Sequence, residues 1–239
     1  VQQLDEEIHT PLGKKMMVLP RALKTHEIPE VIEEFRNAVA MARIAGFAGV
    51  EIHGANGYLL DQFLRDGSNK RVDEYGGSLE NRARFPLEVT RAVTGVWGAD
   101  RVGYRMSLHF PPHSMADSDP RTTFRFLSGK LDDMGIGYIH FEESRGGRMG
   151  FVPPDNRIGG EIRAVYSGTL MVNGGYGAGT GNKAVSSGAA DLVSFGVLYL
   201  VNPDLPERFR KGLPPNKEDP STFYDGEERG YIDYPFSGA

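Results

Sequence analysis

The chain has 239 residues, 39% apolar and 25% charged, enough to bury a full core as an ordinary soluble globular protein does, with one domain as the default. Its net charge of −5 comes from interspersed signs, which leaves no basic stripe for nucleic acid and no polybasic patch for a membrane, so small molecules or proteins are the expected partners. Cysteine is absent, excluding disulfides, zinc-thiolate sites and thiol catalysis. No apolar run approaches the ~20 residues of a membrane span, residues 1 to 8 do not read as a signal peptide, and the cytoplasm is the default compartment.

Residues 1 to 28 hold one short hairpin. From Pro29 to Ala45 the apolar residues Ile32, Phe35, Val39 and Ala42 recur at helical spacing, and Gly46 ends the run before the strand Val50-Glu51-Ile52-His53. A second helix spans about residues 78 to 97, with Pro86 expected to kink it, and leads into the strand RVGYRMS. Asp119-Pro120 has the form of an N-cap followed by proline at the first helical position, with Phe124, Leu127 and Leu131 as the buried face. The strand YIHFEES follows, then a Gly/Pro-rich stretch from 146 to 160, a short helix near 161 to 166 and the strand TLMVNGG. A glycine-interrupted helix around Ala184 precedes DLVSFG, NPDLPERFR opens a last helix, and the tail from 216 to 239 is polar.

Strands alternating with helices imply parallel strands joined by crossovers, hence an α/β barrel or an open doubly wound sheet. In a (β/α) barrel the C-terminal strand ends carry the chemistry, and His53, Arg105, Glu142 and Gly174-Gly175 fall at such ends. Five good barrel strands are readable where closure needs eight. His53, Asn56 and Tyr58 crowd one strand exit and can donate three hydrogen bonds into one small volume, as a site that polarises a carbonyl and delivers a proton requires. Plainer roles are a core histidine for His53, a packing aromatic for Tyr58 and a salt bridge from Arg105 to Glu142 or Glu143. His109 and His113 lie in HFPPH, whose prolines forbid a helix, and no carboxylate pattern completes a metal site around them.

The stretch EIHGANGYLLDQFLRDGSNKRVDEYGGSLENRARF resembles the signature of the old yellow enzymes, the FMN-dependent ene-reductases. The resemblance extends through PLGKKMMVLPRAL, DRVGYRMS, MVNGGY, NPDLPERFRKGLP and TFYDGEERGYIDYP, in the family's order. It implies an incomplete (β/α) TIM-type barrel holding about strands 4 to 8, a single domain with its hairpin at 1–28, barrel elements at 29–215 and a tail at 216–239. It also implies FMN across the barrel mouth, NADPH or NADH as reductant and an activated alkene, an enone or nitroalkene, as substrate.

Residue by residue, the resemblance gives His53 and Asn56 the substrate's carbonyl or nitro oxygen, and Tyr58 the proton for the α-carbon. It sets Arg105 against the pyrimidine side of the flavin, Gly174 and Gly175 at its phosphate with Gly196 nearby, and Tyr224 in the substrate cavity. RDGSNKRVDEYGGS shapes the loop behind the site. At one position this chain departs from the pattern: Val197 follows Gly196 where the resemblance implies a phosphate-gripping arginine, and Gly177, Gly179 and Gly181 weaken the helix aimed at the same group. Three readings follow: a reductase of this type, split or truncated and completed by another chain; a flavin-free isomerase or cyclase using the same donors; and a non-catalytic partner subunit. Open sheet edges predict a homo-oligomer or a partner chain.

Overall fold

The structure, a computed structural model, describes residues 7–10, 13–16, 18, 20–108, 115–143, 157–223 and 227–238. Tyr224, His109, His113 and most of the Gly/Pro-rich stretch lie outside these residues. An antiparallel hairpin of β1 (Glu7–Thr10) and β2 (Gly13–Met16) stands at the start, with Gly13 at φ 84° turning the chain. Next comes α1 (Ile28–Ile44), whose Pro29 sits in the first turn, where a missing N–H costs nothing. It feeds β3 (Val50–His53), which is followed by the short α2 (Leu59–Leu64), absent from the sequence-based expectation, and by the long α3 (Leu79–Trp97), expected at about 78 to 97. Ser78 caps α3 by accepting the Asn81 N–H, and Pro86 lies inside it.

The remaining elements alternate: β4 (Val102–Ser107), α4 (Pro120–Asp133), β5 (Tyr138–Glu142), α5 (Gly159–Arg163), β6 (Thr169–Asn173), α6 (Ala178–Ser186), β7 (Leu192–Val193), α7 (Val197–Leu200) and α8 (Leu205–Lys211). Asp119 caps α4 through the Thr122 N–H, as the Asp-Pro pair predicts. Phe124, Leu127 and Leu131 are fully buried on this helix, each worth ~1.5–3 kcal/mol relative to exposure, which decides the face that α4 turns inward. Phe124 meets Phe141 of β5 edge-on at 5.8 Å between ring centres.

The five strands β3 to β7 form one parallel sheet in sequence order, the incomplete α/β barrel expected. Alternation sorts its side chains onto two faces. Ile52, Val102, Tyr104, Met106, Ile139, Phe141, Leu170 and Val172 are buried in the core shared with the helices. The other face carries Glu51, His53, Arg105, Tyr138, His140, Glu142 and Asn173, and is largely polar, with Met171 and Leu192 as apolar members next to His140. Gly103 belongs to this face because a Cβ there would strike the ring of Tyr138 from the neighbouring strand. Among the described residues β3 pairs only with β4 and β7 only with β6.

Candidate active site

His53 ends β3 in register with Arg105 of β4, so the two side chains stand side by side on the polar face. Beyond His53 the Gly54 N–H continues the ladder to the Arg105 carbonyl at 2.9 Å, and glycine is required because a Cβ would meet the ring and hydroxyl of Tyr104. The chain then reverses through two left-handed residues, Asn56 at φ 59° and Gly57 at φ 77°. Asparagine tolerates this region better than most side chains. Four hydrogen bonds fix the reversal: Asn56 N–H to Ser107 Oγ at 2.9 Å, Gly57 N–H to Asp61 Oδ2 at 3.0 Å, Tyr58 N–H to the Ala55 carbonyl at 3.1 Å, and Gln62 Nε2 to the Gly57 carbonyl at 2.7 Å.

The reversal returns Tyr58 to His53, with ring centres 5.3 Å apart and planes at 62°. Tyr58 is 64% exposed, which removes the packing-aromatic alternative, and His53 is exposed rather than a core histidine. Partial desolvation, then the nearby Arg105 charge, holds the His53 imidazole below its ordinary pKa of 6.5, so it is neutral at pH 7 and can donate one N–H. The buried Oδ1 of Asn56 finds no partner among the described residues. Arg105 does form the plainer contact, an ion pair with Glu142 at 2.7 Å, yet its Nε–H is buried and unpartnered among the described residues.

Two polar clusters escaped the sequence reading. Asp61 and Arg65, an i,i+4 pair on α2 and just past its end, form an ion pair at 2.7 Å with side chains 0% and 2% exposed. Arg65 also donates to the carbonyl oxygens of Ser107 and Leu108, while Asp61 receives the Gly57 N–H, so the pair ties the reversal to the end of β4. The spacing was a signal, but it speaks only once α2 is known to be a helix. One layer beneath His53, His140 places Nδ1 at 3.1 Å from Glu51 Oε2 and Nε2 at 2.9 Å from Ser194 Oγ. Burial pushes the Glu51 carboxyl up, but hydrogen bonds from His140 and Tyr138 outweigh it and hold the group below its ordinary value. Facing an ionised Glu51, His140 donates its Nδ1–H to that carboxylate.

Behind the site, Asn69 donates to the carbonyls of Phe63 and Tyr75 at 2.6 and 2.7 Å, and Arg71 pairs with Asp73, the loop-shaping role expected for that segment. Gly174, at φ 109°, and Gly175, at φ 64°, follow β6, and Gly196 opens α7. The described residues include no group of three or more His, Asp or Glu side chains placed to hold a metal ion, and no helix long and apolar enough to cross a membrane.

Parallel strands in sequence order with crossover helices and polar residues at the strand ends define an incomplete (β/α)-barrel architecture. The family profile described as NADH:flavin oxidoreductase / NADH oxidase matches residues 1–216, and the chain belongs to this family, that of the old yellow enzymes. It is 46% identical over 233 residues to 12-oxophytodienoate reductase 7 of Oryza sativa subsp. japonica, covering 92% of this chain and 59% of that protein. Against 12-oxophytodienoate reductase 1 of the same organism the identity is 47% over 241 residues, covering 99% and 63%. Among solved structures, morphinone reductase matches with a TM-score of 0.87 at 42% identity, covering 96% of this chain and 62% of that one. The old yellow enzyme homologue from Zymomonas mobilis matches with a TM-score of 0.91 at 38% identity, covering 98% and 66%. The chain spans 55% to 70% of the length of these curated rice relatives.

Proposed function

We propose that this chain carries the substrate-reducing half of an FMN-dependent reductase that saturates the C=C bond of enones or nitroalkenes, with NADPH or NADH as reductant. The observation that carries the reading is the Asn56-Gly57 reversal, which gathers His53, Asn56 and Tyr58 at one strand exit beside Arg105. The residues fit the flavin: Arg105 has a buried Nε–H without an acceptor among the described residues, and a Cβ at Gly177 or Gly196 would meet nothing within 4 Å. Bound FMN would supply the hydride. The names of the relatives, oxophytodienoate and morphinone reductases, support an enone as the substrate class.

His53 and Asn56 donate to the carbonyl or nitro oxygen and stabilise the negative charge that grows there as the β-carbon is reduced. A neutral His53 suits this role, because it donates without giving up its proton. Tyr58 then gives its phenolic proton to the α-carbon from the face its exposed hydroxyl can reach. Arg105, held in place by Glu142, would set a fixed cation against the flavin ring. Titration with FMN, followed by the change in the flavin's visible spectrum, and turnover at saturating FMN test the reading. A perturbed flavin spectrum with enone-dependent oxidation of NADPH is the expected result, and an unperturbed spectrum with no turnover favours the flavin-free alternative.

Because Val197 stands where the resemblance implies an arginine, FMN should bind with a Kd weaker than about 1 μM. Val197→Arg adds a charge-assisted contact and should tighten binding roughly 10- to 100-fold. A sub-micromolar Kd in the unaltered chain would remove this expectation. Assembly follows from the sheet edges. Among the described residues β3 and β7 each have one unpaired edge, and exposed apolar side chains flank both in sequence: Met41, Ile44 and Phe47 ahead of β3, Leu192, Val197 and Tyr199 on and after β7. Such edges pair with another chain. Light scattering at micromolar concentration should therefore give a dimer or larger species, and a non-aggregating monomer would count against it.

A further inference from the structure

Arg157 stands just ahead of α5, but its guanidinium reaches the end of β6. One terminal nitrogen donates to the carbonyl oxygens of Gly174 at 3.1 Å and Gly175 at 3.3 Å, and the guanidinium carbon lies 3.8 Å from the centre of the Tyr176 ring. Tyr176 is itself pinned, its hydroxyl donating to Glu143, whose other oxygen accepts the Gly159 N–H at 2.6 Å. The group is thus stacked on one side and bonded at one corner. Its Nε–H is nevertheless buried without an acceptor among the described residues. An unsatisfied buried donor on a cation is costly and calls for an acceptor from outside.

The surroundings say what that acceptor is. The Asn173 side chain donates to the Ser194 carbonyl at 2.8 Å, joining the ends of β6 and β7, so the Gly174-Gly175 turn and Gly196 are neighbours. Gly177, which begins α6, and Gly196, which begins α7, leave open space where a side chain would stand. The first turn of α6 carries no acidic residue. Loops after the last two strands of a (β/α) barrel are where phosphate groups are held. Val197 brings no charge to that corner, whereas Arg157 does, with a donor free.

We propose that Arg157 binds the phosphate monoester of the flavin nucleotide through its Nε–H and remaining terminal N–H, in the space between the Gly174-Gly175 turn and Gly196. The proposal rests on the flavin-binding reading above. A planar guanidinium already stacked and bonded at one corner loses little freedom when it takes an anion, so the contact is preorganised.

Riboflavin, which lacks the phosphate, separates the two layers of the argument. Flavin fluorescence titrations with FMN and with riboflavin should show the unaltered chain preferring FMN by roughly ten-fold or more. Arg157→Ala and Arg157→Gln should reduce that preference to within about two-fold while leaving riboflavin affinity unchanged, and Arg157→Lys should keep part of it. Far-UV circular dichroism checks that each variant is folded, and the glutamine and lysine variants carry the test if alanine disturbs the turn. A parallel loss of both affinities would mean that Arg157 merely props the turn, and an unchanged preference would place the phosphate elsewhere; either overturns this proposal alone. A chain that binds neither flavin overturns the reductase reading and this proposal with it.

Discussion

Replacing Arg65 by methionine should lower stability by about 3–5 kcal/mol. The guanidinium is 2% exposed, pairs with a fully buried Asp61 and also satisfies the carbonyls of Ser107 and Leu108. Methionine fills similar volume but leaves a carboxyl and two carbonyls stranded. For a chain of this size the loss should appear as a fall in Tm of roughly 10 °C. Its pH dependence has a definite sign. Burial already pushes the Asp61 carboxyl above its ordinary 3.8, with Arg65 opposing, so removing Arg65 raises it further. Between 3.8 and the raised value the native state binds the extra proton, and stability falls as pH rises through that window. The deficit relative to the unaltered protein should therefore be larger at pH 8 than at pH 5. A Tm within about 2 °C of the original at both would show that the pair is dispensable.

Tyr58→Phe should lower enone turnover by about 10²-fold or more, the usual contribution of a positioned general acid, with little change in ligand affinity. The ring is 64% exposed, so losing the hydroxyl leaves no buried gap and should spare the fold. His53, in edge contact with that ring, keeps its orientation in the variant. Stopped-flow measurement with FMN-loaded protein separates the flavin-reducing half-reaction, which should be unaffected, from the alkene-reducing one, which should slow. Equal slowing of both, or of neither, would take Tyr58 out of the proton-donor role.

What could be read from the sequence tracks how local its cause is. The Asp119 cap with Pro120 behind it, the apolar face Phe124, Leu127 and Leu131, and the alternation of β3 to β5 are all set within a few residues, and the structure has them as read. The helix α2 was missed because six residues give too short a period to stand out, and the Asp61–Arg65 pair went with it. β7 is only two residues long, Leu192–Val193 within DLVSFG, and pairs with β6 alone among the described residues. The trio Glu51, His140 and Ser194 spans separations of 89 and 54 residues, which no local pattern could announce. Within the site, the grouping of His53, Asn56 and Tyr58 was legible because one turn makes it, whereas Arg157 draws its meaning from a glycine pair 17 and 18 residues further on.

That same trio bears on how the polypeptide acquires its shape during synthesis. Glu51 lies on β3, His140 on β5 and Ser194 directly after β7, so the three are synthesised in that order. Until the last strand emerges, the imidazole has its carboxylate but must satisfy its second nitrogen with water. Closing a loop as long as the 54 residues between His140 and Ser194 costs entropy before the hydrogen bond repays any of it, so the contact belongs among the late events of folding. A chain stopped short of Ser194 would lack the hydroxyl that meets His140 Nε2, so this latch between β5 and the end of β7 closes only once the whole sheet has been made.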